Sequence, residues 1–241
     1  MIRIIRTRIT KVWASLALLS VEMVVILALF FAALAAFGWL VRRVFVLEKT
    51  EFDNRAFEFL GGYVNPLNND VMRFFTFLGT HYFLIPANLL LIAWFLFIRP
   101  HRWHSIKVPA IAISSLIIML LLKQLFGRDR PLIPLLDAAR GFSFPSGHAF
   151  MSTTFYGLLA YIVWQNGGSR ALRLTLGSML WALILIIGLS RIYLRVHYTS
   201  DVLAGLCLGI VWLVISITVS MRMELWSKRR VQVAEPEIIR P

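Results

Sequence analysis

The chain has 241 residues, 59% of them hydrophobic, and a formal charge of +13. That apolar content excludes an ordinary soluble domain, and it gathers into several runs near the roughly 20 residues that cross a bilayer. The basic excess does not point to nucleic acid, because a basic stripe for DNA needs a soluble face to sit on; here Lys and Arg fall in short segments between apolar runs, as topology signals do.

Met1 to Trp13 carries Arg3, Arg6, Arg8 and Lys11 and no acid. The apolar run that follows, 14–41, is far longer than the apolar core of a signal peptide, so it reads as a retained first span. Glu22 within it lies near the inner boundary or bonds a neighbouring helix. From 49 to 78 the chain is mixed. Phe52, Ala56, Phe59 and Leu60 fall on one helical face, as do Val71, Phe74, Phe75 and Leu78, with breakers Gly61-Gly62 and Asn65-Pro66 between. Two short amphipathic helices lying at the interface and covering the bundle are expected.

Further spans are predicted at 80–98, 108–126, 148–165, 174–189 and 202–221. Cys207, the one cysteine, sits inside the last of them, so no intrachain disulfide or thiol metal cluster is available and it reads as a small packing residue. The expected fold is all-α: a single six-span membrane domain over 1–230, followed by a disordered tail, 231–241. The N-terminus, the 98–107 and 166–173 loops and the C-terminal segment are basic, while the opposite loops hold most of the acids. The positive-inside rule then puts both termini in the cytoplasm of a cell with an inner membrane, and turns the 127–145 and 191–201 loops outward. Arg42 and Arg43 run against the rule, but at a span end they can snorkel.

Those two outer loops carry the chemistry. Lys123 ends the third span, and Arg128, Arg130 and Pro131 follow it. The next helix opens with Phe144-Pro145-Ser146-Gly147-His148, where Ser146 can cap, Gly147 admits close backbone approach, and the free amides of a helix N-terminus suit an anion. His148 in that first turn is placed to give a proton to a leaving oxygen. In Ser190-Arg191-x5-His197-x3-Asp201, the carboxylate four residues after the histidine can fix its tautomer and raise its basicity, while Arg191 offers a fork of donors to phosphate oxygens. Two histidines among cations attract phosphate and repel a metal ion, and Asp201 is needed for His197. The chemistry these groups suit is phosphoryl transfer by positioning and charge neutralisation, with no cofactor and no metal.

Lys123-x6-Arg130-Pro131, Pro145-Ser146-Gly147-His148 and Ser190-Arg191-x5-His197-x3-Asp201 together resemble the three-part signature of the type-2 phosphatidic acid phosphatase superfamily. Its bacterial membrane branch includes phosphatidylglycerophosphatase B and undecaprenyl-diphosphatase enzymes. The resemblance implies that His197 is a nucleophile forming a phosphohistidine, oriented by Asp201, and that His148 protonates the leaving group and then activates water. It implies that Lys123, Arg130, Ser146, Gly147 and Arg191 hold the phosphoryl oxygens, without metal. Arg128, Arg140 and Arg195 lie outside the signature; a second phosphate, a headgroup and interface anchoring are the competing roles for them.

The resulting expectation is a lipid phosphatase whose partners are a lipid phosphate and the bilayer, with no nucleic acid and no obligate protein partner. Undecaprenyl diphosphate and phosphatidylglycerophosphate lead among substrates; lipid A and phosphatidic acid follow. A non-catalytic lipid-phosphate binder or transporter is the alternative from another class. Against it stand the lack of an inverted repeat and the clustering of charge at one face rather than at the midplane.

Overall fold

The computed structural model describes residues 21–98, 102–135, 141–166 and 168–234. The basic N-terminal segment, the start of the first span, Arg140 and the last residues of the tail lie outside these, as does the side chain of Glu22. Among the described residues the fold is all-helical: α1 (Val21–Val41, continuing as a π-turn Arg42–Val46), α2 (Glu51–Gly61), α3 (Pro66–Phe77), α4 (His81–Ala93, with a π-turn Trp94–Ile98), α5 (Arg102–Phe126), α6 (Gly147–Asn166), α7 (Arg170–Tyr193) and α8 (Thr199–Ala234). The part of the first predicted span that is described, 21–41, is helical, and the other five predicted spans fall within helices to within a residue. The last helix runs on through 231–234, into what the sequence suggested was tail.

Among the described residues, five helical stretches are long and apolar enough to cross a membrane: Met23–Val46, His81–Ile98, Trp103–Phe126, Arg170–Tyr193 and Thr199–Lys228. Helix α6, the remaining predicted span, is not among them. Ser152, Thr153, Thr154 and Tyr156 dilute its apolar character, and all four are buried, as is every residue from Ser152 to Leu158. A helix enclosed by other helices does not need an apolar surface, because it meets protein and not lipid.

Helix α6 is the axis of the bundle and packs on α5, α7 and α8. Its contact with α8 is a backbone approach. A Cβ added at Gly205 would stand 2.6 Å from the Ser146 carbonyl oxygen, one at Gly209 2.6 Å from Thr153 Cβ, and one at Gly157 2.5 Å from Leu213 Cδ2. Gly205 and Gly209 are four apart on α8, the small-residue spacing that lets two membrane helices touch. Helix α1 packs on α8 and braces the entry to α6: Phe37, Phe45 and Phe126 surround the fully buried Phe144, with ring centroids 4.9–6.3 Å from it. Arg43 at the end of α1 lies over the rings of Trp39 and Phe52, an anchoring role like the one expected.

Helices α2 and α3 form as the pattern predicts. Asn65 and Pro66 turn out to be a start signal rather than only a break: Asn65 is the N-cap, its side chain accepting the Asn68 N–H at 2.9 Å, and Pro66 opens the first turn. Their orientation is something the sequence reading left open. Phe52, Phe59, Val71 and Phe74 are exposed, while Asp53 and Thr76 are buried, and Ala56, Phe57, Leu60 and Met72 pack against the bundle. Polar groups point inward from these helices, and much of the apolar surface faces away.

At the end of the bundle remote from these helices, Lys107 of α5 bonds Glu224 of α8 at 2.8 Å, and Lys228 joins the same carboxylate at 2.9 Å. The start of α5 and the end of α8 are thereby tied together, at the opposite end from Lys123 and Asp201.

Candidate active site

The α7–α8 turn presents His197. Helix α7 ends in a Schellman turn: Arg195 N–H bonds the Ile192 carbonyl at 2.9 Å and Val196 N–H bonds the Arg191 carbonyl at 3.2 Å. The C′ residue sits in the left-handed region (φ 53°), a place usually taken by glycine, and here it is Arg195. This arginine is half-buried against Gly61 of α2 and does not line the catalytic cavity. Leu194 and Val196 are buried on either side of it, so the turn is held by packing, and two residues later His197 points inward with 2% exposure.

Asp201, in the first turn of α8, is fully buried. Its Oδ2 lies 3.5 Å from His197 Nδ1, accepts the Tyr198 N–H at 2.9 Å and accepts a short hydrogen bond from the Ser143 hydroxyl. Ser143 Oγ is itself 3.3 Å from His197 Nδ1. With the Ser143 proton committed to Asp201, the proton on Nδ1 faces two acceptors and the lone pair rests on Nε2. Burial, partly offset by Asp201, lowers the His197 pKa to about 4, so the ring is neutral at pH 7 and its approach to Asp201 is an orienting hydrogen bond rather than an ion pair. On the far side, Nε2 stands 3.3 Å from Arg130 NH1.

The loop from α5 to α6 folds over this turn. Leu135 N–H bonds the Leu194 carbonyl at 3.0 Å, and Ser143 N–H bonds the Arg128 carbonyl at 2.7 Å. Arg130 donates to the carbonyls of Val196 and Gly141, both at 2.8 Å, and Lys123 Nζ donates to the Phe142 carbonyl. Backbone carbonyls thus aim two cations without neutralising them. Arg191, 3% exposed, is held by Thr76 of α3, whose hydroxyl accepts from NH1 at 2.7 Å.

Ser146 is the residue before α6, and its carbonyl accepts the Phe150 N–H at 3.0 Å. Its own N–H is not free for an anion, as the sequence suggested, because it bonds the Asp201 carbonyl at 2.9 Å. The amides of Gly147 and His148 remain as first-turn donors without helical partners. Among the described residues, His148 Nε2, Ser146 Oγ and Arg191 Nε are buried with no hydrogen-bond partner.

A cavity of about 420 Å³ joins these pieces, lined by Lys123, Arg130, Gly147, His148, Arg191 and His197 together with Leu120, Gln124, Gly141 and Phe142. Six of the eight predicted site residues therefore line one space. Asp201 stands one layer behind His197, and Ser146 beneath the α6 N-terminus. Among the described residues no three His, Cys, Asp or Glu side chains converge as metal ligands do, and the cations around the two histidines favour an anion.

The signature arrangement in three dimensions agrees with what the chain resembles. The PAP2 superfamily model matches residues 105–224. Phosphatidylglycerophosphatase B of Bacillus subtilis is 30% identical over 146 residues, 60% of this chain and 71% of that protein. The putative undecaprenyl-diphosphatase YbjG of Escherichia coli is 30% identical over 151 residues, 57% and 72% of the two chains. The chain belongs to the PAP2 superfamily. Among solved structures, a transmembrane PAP2-type phosphatidylglycerolphosphate phosphatase from Bacillus subtilis superposes with a TM-score of 0.74 at 23% identity, over 80% of this chain and 96% of that one. LpxE of Aquifex aeolicus gives 0.53 at 28% identity, over 67% and 92%. This PAP2 protein is a hydrolase of the phosphatase class with several membrane helices.

Three residues of the PAP2 site escaped the sequence reading: Ser143, Thr76 and Asp53. Arg128, left open by the sequence between a second phosphate, a headgroup and interface anchoring, is bonded to groups behind the catalytic histidine. Its guanidinium bonds Asp201 at 2.6 Å, Ser200 at 2.7 Å and Asp53 at 3.0 Å, and lies 4.1 Å over the Tyr198 ring.

Proposed function

We propose that this protein hydrolyses a lipid phosphate or diphosphate at the extracytoplasmic face of the inner membrane through a phosphohistidine on His197. Undecaprenyl diphosphate and phosphatidylglycerophosphate are the favoured substrates, in line with the names of the two curated relatives. The observation that carries the reading is the cavity itself. A neutral imidazole nitrogen faces a space ringed by Lys123, Arg130 and Arg191, with His148 beside it, and its volume is of the order that takes a phosphate headgroup.

These positions support a two-step reaction. The phosphoryl group binds between Lys123, Arg130, Arg191 and the Gly147–His148 amides. The Nε2 lone pair of His197 attacks phosphorus, the bond to the leaving oxygen breaks, and that oxygen keeps the electron pair and takes a proton from His148, which enters the step as imidazolium beside the bound phosphate and leaves it neutral. The imidazole gains positive charge while its Nδ1–H faces Asp201 and Ser143. In the second half, water gives a proton to His148 and attacks phosphorus, and the P–N electrons return to His197. The cations neutralise charge on the equatorial oxygens in both halves, so no metal is required.

The membrane arrangement belongs to the same proposal: one domain over 1–230, with α6 as a sixth span and both termini cytoplasmic. The basic segments between spans and the placement of Lys107 and Glu224 at the end opposite the cavity support it.

The test is a phosphate-release panel over lipid monoesters and diphosphates in detergent, with His197→Ala as control and acid-labile phosphoenzyme trapped in parallel. Chelator should leave turnover intact and orthovanadate should inhibit. Activity lost to chelator and restored by a divalent ion overturns the metal-free mechanism, and phosphoenzyme persisting in His197→Ala overturns the nucleophile.

A further inference from the structure

Asp53 is a buried carboxylate that the reaction above does not use. It comes from α2, far from the signature in sequence, and is 1% exposed. Its Oδ1 accepts the Ser200 N–H at 2.8 Å; its Oδ2 accepts the Ser200 hydroxyl at 2.8 Å and Arg128 NH2 at 3.0 Å. The other terminal nitrogen of Arg128 donates to Asp201 Oδ1 at 2.6 Å. One guanidinium therefore stands between two buried carboxylates. The two oxygens of Asp201 face different ways: Oδ2 meets Ser143, the Tyr198 amide and the His197 ring, and Oδ1 meets Arg128.

This order of charges matters because His197 becomes cationic as its bond to phosphorus forms. A buried carboxylate opposite the ring stabilises that charge in proportion to how much of its own charge is not already neutralised. Arg128 alone would neutralise Asp201. With Asp53 bonded to the same guanidinium, the three groups together carry one net negative charge, and it lies next to His197. The Ser200 amide and hydroxyl lock Asp53 in place, and Ser200 adjoins Asp201 in the chain, so the brace acts on the carboxylate that touches the histidine.

We propose that Asp53, acting through Arg128, is a positioning residue for the His197–Asp201 pair, keeping Asp201 oriented and negative enough to stabilise the phosphorylated imidazole. The inference rests on His197 being the nucleophile. It gives α2 a part in the reaction and not only in covering the bundle.

The test uses the full-length protein in detergent with one lipid phosphomonoester. Asp53→Asn keeps size and most hydrogen bonds but removes the second negative charge. It should lower kcat by about 10- to 100-fold, as for other groups one layer behind the reacting atoms, with KM changed less than about twofold because no phosphate-holding residue is touched. The acid limb of kcat/KM should move to lower pH, since His197 then feels a more neutralised Asp201. Arg128→Gln should move that limb the opposite way, to higher pH. The other groups around His197 are Lys123 of α5, Arg130 and Ser143 of the α5–α6 loop, His148 of α6, Arg191 of α7, and Tyr198 and Asp201 beside it; all are unchanged in both variants, and substrate ionisation is common to both. Each rate is normalised to folded protein from the thermal melt. A purely structural latch predicts lower melting temperatures with kcat and the acid limb unmoved, or both limbs shifted the same way, and either result overturns the proposal. If Asp53→Asn does not fold, the direction of the Arg128→Gln limb decides alone. His197→Ala in the same preparations separates the two levels: phosphoenzyme retained there sinks the nucleophile, whereas phosphoenzyme lost there with a wild-type Asp53→Asn sinks only the brace.

Discussion

Helix α6 and the α2–α3 pair both deliver polar groups to the site, from opposite kinds of surroundings. Helix α6 is enclosed by α5, α7 and α8, and its Ser152–Tyr156 run is buried on every side. Helices α2 and α3 lie at the rim. Phe59 and Leu67 are 68% and 73% exposed there, while Asp53, Asn69 and Thr76 turn inward to Arg128, Tyr193 and Arg191. The contrast concerns the sign of amphipathicity. In water an apolar stripe marks the inside; next to lipid it can mark the outside, and the buried face is chosen by which polar groups find partners. In the proposed reaction the enclosed helix supplies His148, while the rim pair supplies groups that hold Arg128 and Arg191.

The sharpest way to break that division is at the reacting layer. His197→Ala should remove turnover by roughly 10⁴–10⁶-fold, as loss of a nucleophile does elsewhere. In the wild-type protein the acid limb of kcat/KM that reports His197 should lie near its pKa of about 4, not near 6.5, because a depressed pKa keeps the ring neutral and nucleophilic down to that pH. A limb near 6.5 that disappears on altering His197 would contradict the buried, neutral ring.

Next comes His148→Ala, with a loss of about 10²–10⁴-fold on a phosphomonoester lipid, where an alkoxide must leave. A diphosphate leaves as a weakly basic phosphate and should lose less. Asp201→Asn should fall between the two histidine variants on the monoester. Equal losses for His148→Ala on both substrates would mean that the proton donor has been misassigned.

The contact between enclosed helices is probed by Gly205→Ala, whose new methyl would press on the Ser146 carbonyl and Ala149. Overpacking of this kind costs about 1–3 kcal/mol, so the apparent melting temperature in detergent should drop. Gly177→Ala, with nothing within 4 Å, is the control and should not lower it.

At the rim, the two faces should respond unequally. Thr76→Val removes the acceptor of a buried guanidinium, about 1–2 kcal/mol, and should weaken vanadate inhibition by roughly 5- to 30-fold with a smaller effect on kcat. The smallest effect belongs to Phe59→Ser and Leu67→Ser, which should leave activity in detergent within about twofold, as for surface positions generally. A large loss from either would mean that the apolar face of α2–α3 packs on something more specific than lipid.

The sequence by itself determined the all-helical membrane class, the positions of five helices long and apolar enough to cross a bilayer, and six residues that line one cavity. Apolar runs of membrane length and a charged signature between them are local patterns, and local patterns survive in the chain. It did not carry the inward face of α2 and α3, because a hydrophobic stripe has an axis but no sign until it is known whether lipid or protein lies beside it. Nor did it carry the second layer. Thr76 reaches Arg191, Ser143 reaches His197 and Asp53 reaches Arg128 across 115, 54 and 75 residues of sequence, and each is an ordinary polar residue until the fold removes water from around it. What only the tertiary structure decided was pairing. Burial makes an unpaired charge costly, so partners distant in the chain must meet, and no spacing rule in one dimension states which partners those will be.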